Sequence, residues 1–133
     1  MIVVDASAVC ELLLRRPAER RLVELVLADG ASVHAPDLMS VEVLHVIRRM
    51  ARNNAIAGER AEEMRHDLAD LPIHRYPSRP LLDRVWALRD NLTVYDALYL
   101  ALAEALDATL VTADRALARA VGGRSTVKVE TVG

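Results

Sequence analysis

Ile2-Val3-Val4-Asp5-Ala6-Ser7-Ala8-Val9 decides how this chain folds. Its first three residues are β-branched and apolar on both alternating faces. A strand with no polar face must be covered on both sides, and such strands occupy the middle of parallel sheets. Asp5 ends the run, and the small residues after it lead into a helical pattern over Ala8–Leu14. In open parallel sheets, ligands bind outside the carboxyl ends of the strands. Asp5 therefore sits at a position from which such a fold does chemistry.

The same alternation continues outward along the chain. Pro17 can start a second helix reaching Asp29, and Gly30 ends it. Ser32–Ala35 is a weaker strand. Pro36-Asp37 opens a long amphipathic helix to about Arg52, and Gly58-Glu59 opens another ending near Leu71. Ile73–Tyr76 is a short strand, and Pro77 and Pro80 frame the start of a helix to Asp90. Thr93–Leu106 is a nearly all-apolar helix and should be buried. Thr109–Thr112 is a strand, Asp114–Val121 a short helix closed by Gly122-Gly123, and Val127–Thr131 a last strand. Strands alternating with helices predict an α/β fold with a mostly parallel sheet of about five strands and about seven helices. With 133 residues and no linker or repeat, the chain reads as one domain over residues 1–133.

Composition narrows the function classes. The chain is 53% hydrophobic with no Phe, so an aliphatic core is expected. A net charge of −2 lacks the basic excess typical of nucleic-acid binders. The cations are almost all Arg, with Lys128 the single Lys. Arg15, Arg16, Arg48, Arg49 and Arg52 are candidate phosphate contacts, although solvated helix faces explain most of these arginines. Cys10 is the only cysteine, excludes an internal disulfide and reads as a buried small hydrophobe. The opening residues carry no basic leader, and no apolar run approaches membrane-spanning length. The expectation is a cytoplasmic protein with no membrane partner.

Four acids stand in apolar surroundings, unlike the others on polar helix faces. Asp5 follows the first strand, and Asp114 follows Thr109-Leu110-Val111-Thr112. If the two strands are neighbours, both acids reach one sheet edge. Each also has a plain explanation as a helix cap. Asp96 lies three residues after Thr93, a capping-box spacing, but on a helix with almost no polar face. Glu42 shares its helix face with Leu38, Met39, His45 and Val46, and capping does not explain it. Converging carboxylates repel one another unless a counter-charge joins them. No Lys or Arg follows the same pattern, so a divalent cation is the simpler answer. Oxygen-only ligands point to Mg²⁺ or Mn²⁺, because the four His lack metal-ligand spacing.

These segments together resemble the PIN-domain family, and within it the VapC-type toxins of bacterial toxin–antitoxin systems. The carriers are Val3-Val4-Asp5-Ala6-Ser7-Ala8, Pro36-Asp37-Leu38 through Glu42, Thr93-Val94-Tyr95-Asp96-Ala97-Leu98-Tyr99, and Leu110-Val111-Thr112-Ala113-Asp114. The resemblance implies a three-layer α/β/α sandwich and a metal-dependent endoribonuclease. It maps the catalytic quartet onto Asp5, Glu42, Asp96 and Asp114, with Asp5, Asp96 and Asp114 as metal ligands. Ser7 and Thr112 match positions whose hydroxyls support that site. Some relatives have a further acid just after the last Asp, where this chain has Arg115-Ala116-Leu117. The implied partners are an RNA substrate, a cognate antitoxin and a second copy in a homodimer.

Two other readings start from the same residues. A phosphoryl-transfer or phosphate-sensing domain also places an Asp at a strand end. A phosphatase of that kind wants a second Asp where Ser7 stands, and a receiver wants paired acids before Asp5. A non-catalytic binding module of the same fold is the third reading. It leaves four desolvated acids without a purpose.

Overall fold

A computed structural model describes residues 1–16 and 18–133. The expected helix start at Pro17 lies outside the described residues. The elements in chain order are β1 (Ile2–Val4), α1 (Ala6–Leu13), α2 (Ala18–Asp29), β2 (Val33–Pro36), α3 (Leu38–Arg52) and α4 (Gly58–Asp70). There follow β3 (Ile73–Tyr76), a 3-10 turn (Arg79–Leu81), α5 (Leu82–Ala87), α6 (Val94–Leu106), β4 (Thr109–Thr112), α7 (Arg115–Val121) and β5 (Val129–Thr131). The five strands form one sheet in the order β3-β2-β1-β4-β5, and every pairing is parallel.

The opening strand takes the central place its composition demands. Ile2, Val3 and Val4 are all buried. Ile2 pairs with Val33 on one side and Thr109 on the other. Parallel strands need right-handed crossovers, which send connections in opposite directions to opposite faces. The steps from β1 to β2 and β2 to β3 put α1–α4 together, and α1 packs on α2 and α3 while α3 packs on α4. The return from β3 to β4 runs through α5 and α6, which pack on each other, and α6 also lies against β1, β2 and β4. The result is the expected α/β/α sandwich.

Several boundaries move for local reasons. The first helix begins at Ala6 rather than Ala8, because Asp5 in extended conformation accepts the Ala8 N–H and caps it. The helix expected to run to Asp90 is shorter, a 3-10 turn followed by α5. The nearly apolar helix is buried as expected, with every residue from Ala97 to Ala103 in the core. On the other face, Val4, Val33 and Ile73 of the sheet and Val9, Leu12 and Leu22 of α1 and α2 line an apolar cavity of about 190 Å³.

Candidate active site

The chain moves outward from β1 through β2 to β3, then returns to β4 on the far side of β1. Connections therefore leave β1 and β4 in opposite directions. The crevice that this opens at the strands' carboxyl ends is where such sheets bind ligands. Val4 pairs with Val111, so the residues following both strands emerge side by side.

Asp5 is at that edge and only 5% exposed. Its Oδ1 accepts the Ser7 hydroxyl at 2.7 Å and the Ala8 N–H at 3.0 Å. Its Oδ2 accepts the Thr112 hydroxyl. Each hydroxyl is itself aimed by a backbone donor. Ala113 N–H donates to Ser7 Oγ at 2.9 Å, and Asp114 N–H to Thr112 Oγ1 at 2.9 Å. Two short relays thus tie the end of β4 to Asp5. Burial raises the Asp5 pKa, the three hydrogen bonds pull it back, and the charge of Asp96 raises it again.

Asp96 sits in the first turn of α6. Its N–H donates to Thr93 Oγ1 at 3.1 Å, so Thr93 is the cap. The return bond of a capping box, from Thr93 N–H to the Asp96 carboxylate, does not form. Burial raises the Asp96 pKa, the Thr93 hydroxyl lowers it, and the charge of Asp114 raises it. Asp114 does cap α7: its Oδ1 accepts the N–H groups of Ala116 at 2.8 Å and Leu117 at 3.2 Å. Its Oδ2 makes no hydrogen bond among the described residues. Asp5, Asp96 and Asp114 thus form one electrostatic group, linked through Asp96.

Glu42 reaches the group through a residue that the sequence reading did not single out. The Tyr99 hydroxyl donates to Glu42 Oε1 at 2.6 Å. Burial holds the phenol in its protonated form, and the hydrogen bond to Glu42 and the charges of Glu42 and Asp5 add to this. The apolar helix face around Glu42 had pointed to a cation or metal as its partner; the partner here is a neutral phenol. A signal existed, since Tyr99 is three residues after Asp96 and brings the one polar group of its buried stretch. Glu42 and Ser7 line an open cleft of about 680 Å³ with Cys10, His45, Val41 and Tyr95. Cys10 is buried, with its thiol pushed up to about 11, and stays a thiol as expected.

The chemistry of this donor set suits a hard cation in an open site. Among the described residues, no three His, Cys, Asp or Glu side chains stand together tightly enough to grip a metal ion. Mg²⁺ does not need such a cage, because one or two carboxylates usually hold it while water and substrate phosphates complete its shell. Asp5 Oδ2 keeps one acceptor direction uncommitted, and Asp114 Oδ2 is free. As an attacking nucleophile Asp5 is badly placed, being buried with both oxygens engaged.

The amino-acid sequence matches the PIN domain family over residues 2–123. The chain belongs to the PIN-domain family. This PIN domain is 42% identical over 121 residues to ribonuclease VapC1 of Mycobacterium tuberculosis, covering 90% of each chain. It is 36% identical over 129 residues to ribonuclease VapC12 of the same organism, covering 97% of this chain and 98% of the relative. Among solved structures, it superposes on a toxin–antitoxin complex from Klebsiella pneumoniae with a TM-score of 0.72 at 18% identity. That match covers 100% of this chain and 98% of the other and establishes the shared fold.

Proposed function

We propose that this PIN domain is a metal-dependent endoribonuclease toxin, restrained by a cognate antitoxin and active as a homodimer. The observation that carries the reading is the electrostatic group of Asp5, Asp96 and Asp114 at the β1/β4 crevice, with Glu42 beside it. Relatives named ribonucleases at 36–42% identity support the substrate class. A neighbour of the same fold solved as a toxin–antitoxin complex supports the antitoxin.

Asp5, Asp96 and Asp114 would hold Mg²⁺ or Mn²⁺. When bound, such an ion supplies Lewis acidity toward water and the scissile phosphate, and offsets the repulsion between acids and RNA. Ser7 and Thr112 fix the Asp5 carboxylate in one orientation. Glu42 orients the attacking water and accepts its proton. In-line attack forms the new P–O bond and breaks the bond to the 3′ oxygen, leaving a 5′-phosphate and a 3′-hydroxyl. Arg15, Arg48, Arg49 and Arg52 are exposed and carry no ion pair among the described residues, so they are free to meet phosphates. Arg16 is less available because it pairs with Glu11 at 3.3 Å. Arg49 follows Glu42 by two turns on α3, about 10 Å along the axis.

The test is cleavage of RNA with Mg²⁺ or Mn²⁺, repeated with Asp5→Asn and Asp96→Asn. Each variant should lose more than the ~10–100-fold that goes with a group merely supporting a metal ligand. Undiminished cleavage by both would overturn the assignment.

A further inference from the structure

Tyr99 stands one turn beyond Asp96 on α6 and is 2% exposed. It has two polar contacts. Its hydroxyl donates to Glu42 Oε1 at 2.6 Å, and the backbone N–H of Ala6 faces the phenol oxygen. Ala6 is the first residue of α1 and directly follows Asp5. One phenol therefore joins the three elements that carry Asp96, Asp5 and Glu42.

The bond divides the two oxygens of Glu42. Oε1 is committed to Tyr99. Oε2 has no hydrogen-bond partner among the described residues, and no buried side-chain oxygen among them lacks one. Oε2 is therefore open to water, in the cleft that Glu42 lines. Without the phenol, a half-buried Glu on a helix would sample several staggered rotamers. With it, one rotamer is selected.

We propose that Tyr99 is a positioning residue for Glu42: its hydroxyl locks the carboxylate through Oε1 and presents Oε2 alone to the cleft. Tyr99 itself touches neither substrate nor ion. Glu42 then acts on water as a single-oxygen acceptor rather than as a chelating carboxylate. The catalytic consequence rests on the ribonuclease reading above, whereas the orientation of Glu42 does not.

Tyr99→Phe removes the hydroxyl and keeps the ring, so packing is preserved. Combined with Glu42→Ala and the double variant, it gives two cycles. The first is urea unfolding in EDTA, which needs neither metal nor RNA. The two changes should be coupled by about tenfold in the unfolding equilibrium constant. The second is single-turnover RNA cleavage with enzyme in excess, where small residual rates are measurable. Tyr99→Phe alone should slow the chemical step by about 10–100-fold with substrate affinity held within about threefold. In the Glu42→Ala background it should slow it no further. Absence of coupling in unfolding would show that the hydroxyl does not hold Glu42. Equal losses in both backgrounds would show that Tyr99 acts on something else. A wild-type protein that leaves RNA intact would sink the ribonuclease reading, and the unfolding cycle would still decide whether Tyr99 orients Glu42.

Discussion

At the scale of single residues, helix capping and an oxygen left open to a metal can belong to the same carboxylate. Asp5 and Asp114 each cap a helix with Oδ1, and each keeps acceptor capacity on Oδ2. The sequence poses the two roles as alternatives because it carries no information about which oxygen does what. Asp5 also leads to a prediction about stability. Its pKa is raised in the folded protein, so the protonated form is favoured there. Its stabilising contribution is complete below the ordinary value near 3.8 and is lost as pH rises through the folded value. Asp96 has the same sign. In the metal-free protein, Asp5→Asn should therefore unfold at higher temperature than wild type at pH 7. The gap should shrink toward pH 4. Asn can preserve the network by donating to Thr112 Oγ1. Thermal melts in EDTA across that range check it, and a gap that widens on acidification would be the wrong sign.

At the scale of elements, α7 separates the two jobs of Asp114. Asp114→Ser keeps a cap and should change stability by only a few tenths of a kcal/mol, whereas Asp114→Ala should cost about 1 kcal/mol. Both remove the carboxylate. Both should therefore weaken Mn²⁺ binding equally, as read by calorimetric titration. Unequal weakening would mean that α7 itself, rather than its acid, matters. The buried helix α6 carries the other constraint. Leu100 is fully inaccessible on it, so Leu100→Ala should cost about 2–5 kcal/mol in denaturant unfolding. Periodicity says little about α6 because its middle, Ala97 to Ala103, is buried all the way round; its nearly unbroken apolar run marks it as a buried helix. Asp107 ends it in the left-handed region at φ 50.

At the scale of the whole molecule, large exposed apolar side chains stand on α2, α3, α5 and α6 and at Met1. Leu82 and Trp86 project from α5 at 49% and 63% exposure, and Arg89 stacks on the Trp86 ring. Val41 and Tyr95 are as exposed, but both belong to the cleft beside Glu42. Exposed apolar groups of this size, when they cluster, mark interaction surfaces. A homodimer formed through α5 would bury Leu82 and Trp86. Sedimentation should show a dimer for wild type and a monomer for Trp86→Glu. The melting temperature measured at concentrations where both are monomeric should be unchanged. A Trp86→Glu protein that stays dimeric would move the interface elsewhere. Among the described residues no helix is long and apolar enough to cross a membrane.

The sequence by itself determined the class of fold and most of the element order, and it singled out four acids for attention. Unbroken β-branched runs need cover on both faces, and acids beside such runs are costly enough to stand out. Ile73–Tyr76 and Thr109–Thr112 matched residue for residue, because apolar runs bounded by turn residues leave little choice. That β4 neighbours β1 was not legible, since Ile2 pairs with Thr109 from the far end of the chain. Only the tertiary structure put β4 against β1 and brought Asp114 to Asp5. The resemblance marks the Ser7 and Thr112 hydroxyls as supports of the site, but only the tertiary structure supplied their bonds to Asp5 and the phenol on Glu42. A single helix face shows which side chains are buried together. It does not show which element on the other side supplies their hydrogen bonds.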